Sequence, residues 1–414
     1  MIIPTLLFLC LLVAVLAFYL NRFDVPRSVW KVAFFSFALR AGYVFVDSVV
    51  GIYSGGGDES GYDITIWFVA QQWRSGVLLA PFNYAMSPGN DGGYMLLYST
   101  LFSPAYTVFG HISELGRLQM ALFGTFVVVN IYLITEYIYD HRAGLIAGLI
   151  TAIFPYWIIL SAILYRDMLV IFFFTLMAYY FVRWQHEEFQ PIVFVLLVGS
   201  ALLGLSLRMV NIAALGTILV ITVFISLDRV STKGIGAATA GLGAAITAYV
   251  VIGQELLLSE LANRRAWLAR EAPGAYLGDL IYQSYAELLA FLPIGAVYFF
   301  LTPFPWHLID LMAMIAIAQN LFLWYPIVIL SVIGFRDSLH VPDGPKMIIP
   351  LIGFSMAGIF AYGLVEGNIG PAMRHRSQFQ FVFFVLAGIA LSKRVRIRWP
   401  SLSVHNSRSS SLTE

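Results

Sequence analysis

Apolar runs of about 17 to 25 residues recur from one end of this sequence to the other, each long enough to cross roughly 30 Å of hydrocarbon as a helix. Inside lipid every backbone amide must find a partner within the protein, which leaves helices or a closed barrel. A barrel would alternate apolar and polar residues in short segments, and these runs do not. With 60% of its 414 residues hydrophobic and 11% charged, the chain is too apolar for an ordinary soluble protein. The expected fold is therefore all-α, a polytopic transmembrane helical bundle. The net charge of +1 offers no basic surface for nucleic acid, and the single cysteine, Cys10, excludes an intramolecular disulfide.

The clearest runs lie at 1–20, 29–49, 117–137, 143–163, 168–182, 191–207, 210–227, 235–253, 311–334, 346–364 and 377–392, about eleven spans in all. Arg22, Arg27 and Lys31 follow the first run and no basic stretch precedes it, so it reads as an anchor with the N-terminus outside. The connections at Asp140-His141-Arg142, Arg183 to Glu188, Asp228 to Lys233 and Arg336 to Lys346 then fall in the cytoplasm, as does the tail crowded by Lys393, Arg394, Arg396 and Arg398. Two further stretches, 94–110 with Pro104 and 287–304 ending in Pro303-Phe304-Pro305-Trp306, read as re-entrant or interfacial. Residues 1–400 form one membrane domain, and the serine-rich stretch 401–414 reads as a disordered cytoplasmic tail.

This topology gathers four segments outside: residues 50–93, the turn at Arg166-Asp167, the loop 254–286, and Glu366 to Arg376. In the first, Gly55, Gly56 and Gly57 free the backbone to turn into Asp58 and Glu59. An interfacial helix carrying Tyr62, Asp63 and Trp67 follows. Asp58 at its start suits a helix cap and suits a catalytic or ligand carboxylate; both readings stand. Arg166-Asp167 suits a solvated turn or a polar cavity, charge this close to hydrocarbon being costly otherwise. A divalent metal held between Asp58 and Asp167, or an activated hydroxyl there, is the chemistry that the pair would permit. Arg40 and Arg208 are internal ion-pair partners or ligand contacts, and Arg374 and Arg376 suit phosphate recognition. His375 reads as a neighbour of these arginines, no second histidine standing at useful spacing. A Walker loop, HExxH and a Gly-x-Ser-x-Gly elbow are missing, which disfavours ATP-driven transport and zinc proteolysis.

The order of these features resembles the GT-C superfamily of membrane glycosyltransferases, in particular the family 39 type that includes protein O-mannosyltransferases and lipid A aminoarabinose transferases. The resemblance rests on Arg40, on Asp58-Glu59-x-x-Tyr62 followed by Ala70 and Gly76, and on Phe109-Gly110 with Arg117. It continues through Arg142-Ala143-Gly144-Leu145-Ile146-Ala147-Gly148 to Pro155, Arg166-Asp167 and Arg374-His375-Arg376. It implies a GT-C-like fold whose external first loop bears interfacial helices, and transfer of a sugar from a polyprenyl-phosphate carrier to a glycan, lipid or protein acceptor, with inversion. That reaction belongs to the external face of a plasma (inner) membrane and to the cell envelope, with membrane lipid as the surroundings. The resemblance makes Asp58 the base or acceptor-positioning carboxylate and Asp167 the second acid, with Arg374, Arg376 and Arg208 on the donor phosphate. Glu59, Tyr62, Arg166 and His375 support them. His375 stands where the family has tyrosine, and a further span precedes the usual first one. Two other functions fit parts of the pattern. An O-antigen polymerase or ligase would rely on external arginines such as Arg264, Arg265 and Arg270, and a lipid-carrier flippase or transporter would move the lipid without making a bond.

The topology is tested by cysteine accessibility in a Cys10→Ser background. Cysteines placed in 50–93 should react with an impermeant thiol reagent in intact cells, and cysteines at 140–142 or 336–346 only after permeabilisation.

Overall fold

The computed structural model describes residues 2–52, 57–87, 92–226, 259, 261–267, 274–278, 282–308 and 311–395. In its helices the side chains of Asp58, Phe224 and Ser226 fall outside that description. The expected span at 235–253, Arg270 and the tail 401–414 lie outside the described residues.

Helices α1 (Ile2–Arg22) and α2 (Arg27–Val50) open the chain, followed by α3 (Gly57–Arg74), α4 (Ala80–Ala85) and α5 (Gly92–Phe109). Then come α6 (Ser113–Ile138), α7 (His141–Ile153), α8 (Pro155–Leu160), α9 (Asp167–His186), α10 (Pro191–Leu207) and α11 (Ile212–Ser226). The described part of the C-terminal half contains α12 (Tyr285–Leu301), α13 (Leu311–Gln319), α14 (Tyr325–Ser338), α15 (Gly344–Val365) and α16 (Ile369–Arg394). A π-turn at Asn320–Trp324 joins α13 to α14 into one apolar rod. The described residues form no strand, and six helices among them are long and apolar enough to cross a membrane. The fold is an all-α polytopic bundle.

α6 and α9 are buried along most of their length, and so is α16 in spite of its arginines and glutamines. Polar side chains in this core are matched to one another: Trp157 donates to Gln380 (3.0 Å), and Asn211 donates to Gln378 (2.8 Å). The Arg374-His375-Arg376 element, read from sequence as loop, lies in the first turns of α16.

Contacts distinguish two ends of the bundle. At one, the C-terminal turn of α2 meets the start of α6 through Asp47 and Arg117, and the starts of α9 and α16 meet through Asp167 and Arg374. At the other, Ser28 bonds His141, Tyr137 bonds Glu187, and Asp337 pairs with Lys393 and Arg394. α1 begins at the first end, where Phe8 packs on Phe109, and descends to the second, where Phe23 packs on Tyr179. Both ends of α5 lie at the first end: Tyr94 beneath Arg166, and Phe109 beside Phe8.

The run 143–163, apolar throughout, is not one helix. Proline at position 155 has no N–H to give the Thr151 carbonyl, and α7 stops at Ile153. The Tyr156 N–H, which would have served Ala152, instead donates to the Gln319 side chain (2.7 Å). The two carbonyls left over are taken by one guanidinium: Arg40 on α2 donates to Ala152 O (3.1 Å) and Thr151 O (3.3 Å), and also to Ser36 Oγ (2.6 Å). Among the described residues Arg40 forms no ion pair; its guanidinium closes a broken helix where no surface is exposed to water.

α7 and α16 approach closely because Gly388 faces Ala143 and Ala147. A β-carbon at Gly388 would stand 2.6 Å from the Ala147 Cβ and 2.8 Å from the Ala143 carbonyl oxygen. Gly388→Ile should thus destabilise the bundle by about 1–3 kcal/mol or more, read as a lowered unfolding temperature in detergent.

Candidate active site

The chain leaves α8 at Leu160 and runs without regular structure to Arg166 before α9 begins. This turn brings a carboxylate to the buried start of α9. Asp167 has no exposed surface, and a buried carboxylate persists only if it is paired. Two arginines from distant parts of the sequence do this: Arg208 Nη2 lies 2.8 Å from Oδ1, and Arg374 Nε lies 3.3 Å from Oδ2. Gln378 Nε2 stands 3.5 Å from Oδ1. Arg208 is available because α10 ends at Leu207 and the chain turns through Met209–Asn211 into α11. Arg374 reaches the site one turn into α16 and stacks over the Tyr165 ring at 4.4 Å.

A second cluster ties the interfacial helix α3 to the same turn. Glu59 receives two hydrogen bonds from Arg117, at 2.8 Å and 3.0 Å, and a third from the Leu164 main-chain N–H at 3.1 Å. Arg117 also donates to Asp47 at 2.9 Å. The Leu164 carbonyl accepts from Tyr98 on α5 (3.0 Å). One residue of the irregular turn is thus held at both its amide and its carbonyl by side chains from α3 and α5. Asp47, at the end of an apolar run, gave no sequence signal beyond a helix boundary, and Arg117 appeared there only as part of a resemblance.

The sequence-derived residues are distributed as follows. Asp58 lies in the first turn of α3, beside Glu59, and its side chain is outside the described residues. Tyr62 packs on Tyr98 (4.7 Å) and Tyr94 (6.4 Å); burial pushes its hydroxyl up to about 12, against the opposing field of Arg166. Arg166 lies over the Tyr94 ring at 4.1 Å. His375 bonds Glu366 at the end of α15. Arg376 turns away from Asp167: it donates to the carbonyls of Phe300 (3.1 Å) and Thr302 and to Asn320 (2.9 Å). The structure therefore joins Arg208, Arg374 and Asp167 and gives Arg376 a separate task, fixing the end of α12. Arg265 is likewise occupied, donating to the main chain of Glu366 (2.7 Å) and Leu277 (3.1 Å).

Among the described residues no three His, Cys, Asp or Glu side chains converge. Asp167 suits a divalent cation poorly, since each of its oxygens already faces a guanidinium group that would repel the ion.

The Glu59 cluster can be broken selectively. Arg117→Met removes the guanidinium that bridges Asp47 and Glu59 and takes that cation from two buried carboxylates. A loss of about 3–5 kcal/mol is expected, measured by unfolding in detergent, with increased hydrogen exchange along α3.

Residues 96–253 match the model of the dolichyl-phosphate-mannose-protein mannosyltransferase family, a stretch that contains Arg117, Arg166, Asp167 and Arg208 and excludes Asp58 and Arg374. No curated protein matches the chain. Joined to an all-helical, multi-span bundle with an acid and two arginines converging at one end, the match supports the assignment of this chain to the GT-C superfamily of membrane glycosyltransferases.

Proposed function

We propose that the protein transfers a sugar from a polyprenyl-phosphate carrier to an acceptor hydroxyl at the external face of the membrane, with inversion at the anomeric carbon. The observation that carries this reading is the convergence of Asp167, Arg208 and Arg374 at the end of the bundle beside the first turn of α3. A lipid phosphate must be met near the level of the headgroups by cations held in place, and arginines fixed at one end of the helical bundle suit that task. Support for the external face comes from the connections between helices at the opposite end, where Arg142, Arg183, Lys346, Lys393 and Arg394 stand in the exposed turns that the positive-inside tendency assigns to the cytoplasm. The N-terminus of α1 is then outside too. The path of α5, with both ends at the site end, supports a segment 94–110 that does not cross.

In the reaction, the acceptor oxygen attacks the anomeric carbon as the bond from that carbon to the phosphate oxygen breaks, and the lipid phosphate leaves with the bonding electrons. Asp58 takes or directs the hydroxyl proton, Arg208 and Arg374 offset charge on the departing phosphate, and Asp167 holds those two arginines together. Glu59, through Leu164, holds α3 against the turn that carries Asp167. The O-antigen polymerase or ligase reading draws less support, because Arg265 is committed to main-chain carbonyls.

With purified protein in nanodiscs and a panel of polyprenyl-phosphate sugars, wild type should release free polyprenyl phosphate with at least one of them. Asp58→Asn should lower the rate by a factor of 100 or more, with unfolding temperature unchanged. Full activity in Asp58→Asn would remove the proposed base.

A further inference from the structure

The turn between α15 and α16 is closed by a pair of side chains that the proposed reaction leaves unused. Glu366 follows the last residue of α15, and its carboxylate reaches nine positions along the chain to His375 Nδ1 in the second turn of α16. The imidazole also packs on the Tyr362 ring of α15, with 5.1 Å between centroids. The main chain of the turn is held from outside: the Tyr276 N–H donates to Gly367 O (2.8 Å), the Ile369 N–H donates to Gly274 O (3.1 Å), and Arg265 donates to Glu366 O (2.7 Å). Arg374, next to His375, faces Asp167 at 3.3 Å, so fastening the imidazole to α15 helps to set where that guanidinium stands. A carboxylate only accepts, which puts the ring's hydrogen on Nδ1 and leaves a lone pair on Nε2. Among the described residues Nε2 meets no partner.

The charged and titratable groups that act on the ring are Glu366 and Tyr362 of α15, Arg208 after the end of α10, and Asp167 at the start of α9. Arg374 and Arg376 flank it on its own helix, the latter turned to the carbonyl of Phe300 in α12. Burial and the Arg208 guanidinium hold the imidazole below the ordinary histidine range, against the pull of Glu366 and Asp167. On a side chain 13% exposed, a second proton would create at Nε2 an N–H with no acceptor among the described residues, in the field of a guanidinium of the same sign.

We infer that His375 is a positioning residue for Arg374, and that its protonation opens the turn between α15 and α16, so that acid on the external side slows transfer. The effect on transfer rests on the function proposed above; the linkage between the proton and the turn does not. The neutral ring donates once, to Glu366, and fits where it lies. The charged ring needs a second acceptor, which water supplies only when the turn loosens. Glu366 plays two parts, since the carboxylate that fixes the imidazole also favours its charged form and thereby sets the acidity at which the turn yields. An unfolded histidine takes up its proton near about 6.5 and the folded His375 does so below that. Its contribution to stability is therefore fully present above about pH 6.5 and is lost as pH falls from there through the folded value.

The test uses the full chain in nanodiscs, with unfolding temperature and release of polyprenyl phosphate from the sugar donor followed from about pH 8 to about pH 5. His375→Gln keeps a donor in reach of Glu366 and does not titrate. Relative to it, wild type should lose about 1–3 °C of unfolding temperature on acidification. Transfer by wild type should fall about tenfold over the same interval, and by about threefold at most in His375→Gln. Glu366→Gln keeps an acceptor and loses the charge, so the fall in either quantity should move about one unit to lower pH. This second variant carries the test if His375→Gln does not fold. A wild type whose unfolding temperature follows pH as that of His375→Gln does overturns the inference, and so does a Glu366→Gln profile left in place or moved to higher pH. Losses in both variants that are equal at every pH make the pair purely structural and overturn it too, as does transfer that ignores pH. If unfolding temperature responds as stated and no donor is turned over at any pH, the proposed function falls and the linkage between proton and turn stands.

Discussion

The unsatisfied backbone of the segment between α7 and α9 is the constraint around which this bundle is organised. A helix broken in hydrocarbon exposes amides and carbonyls that water cannot reach, and each costs free energy until something donates or accepts. Here the partners come from helices far away in sequence. Arg40 serves Thr151 and Ala152, Gln319 serves Tyr156, Glu59 serves the Leu164 amide, and Tyr98 serves the Leu164 carbonyl. Satisfying one irregular strip of chain thus fixes α2, α3, α5 and α13 around it. Asp167 follows this strip directly, so its position is inherited from all four.

Two charge clusters share that strip, and they differ in design. Around Glu59 one guanidinium is shared between two carboxylates, and among the described residues Arg117 donates to Asp47 and Glu59 alone. Such a cluster fixes geometry. Around Asp167 one carboxylate is shared between Arg208 and Arg374, and Arg374 and the neighbouring Arg166 lie over aromatic rings. Leu164 and Asp167 stand three positions apart in the chain, so the two clusters sit side by side with different partners.

The bundle itself was legible in the sequence because lipid imposes long apolar runs, and run length survives without any knowledge of contacts. The division of 143–163 was not legible. Proline at 155 is visible, but apolar helices tolerate proline, and the residue that makes the break stable, Arg40, lies 112 residues from the carbonyl at Ala152. α16 was read as loop up to Arg376 because charge normally marks a boundary; in the structure those charges are absorbed by carbonyls and by Asp167. Asp167, Arg208 and Arg374 were each visible as polar residues in apolar surroundings, whereas their pairing depends on the packing of α9 against α16. Arg376, one helical position away from His375, could not be told from Arg374 by composition; the helix turn sends it to the end of α12 instead.

The closure of α7 by Arg40 also says something about how the chain enters the membrane. α2 emerges from the ribosome more than a hundred residues before Thr151 and Ala152 exist to receive its guanidinium. Through that interval Arg40 has Ser36 of its own helix as a partner but not the two carbonyls of α7, and a charge so incompletely met is costly inside lipid. Arrival of α7 supplies the carbonyls. The polar side chain of the second helix is thus fully satisfied only once the seventh has been made, a dependence on the order of synthesis that the finished fold does not display.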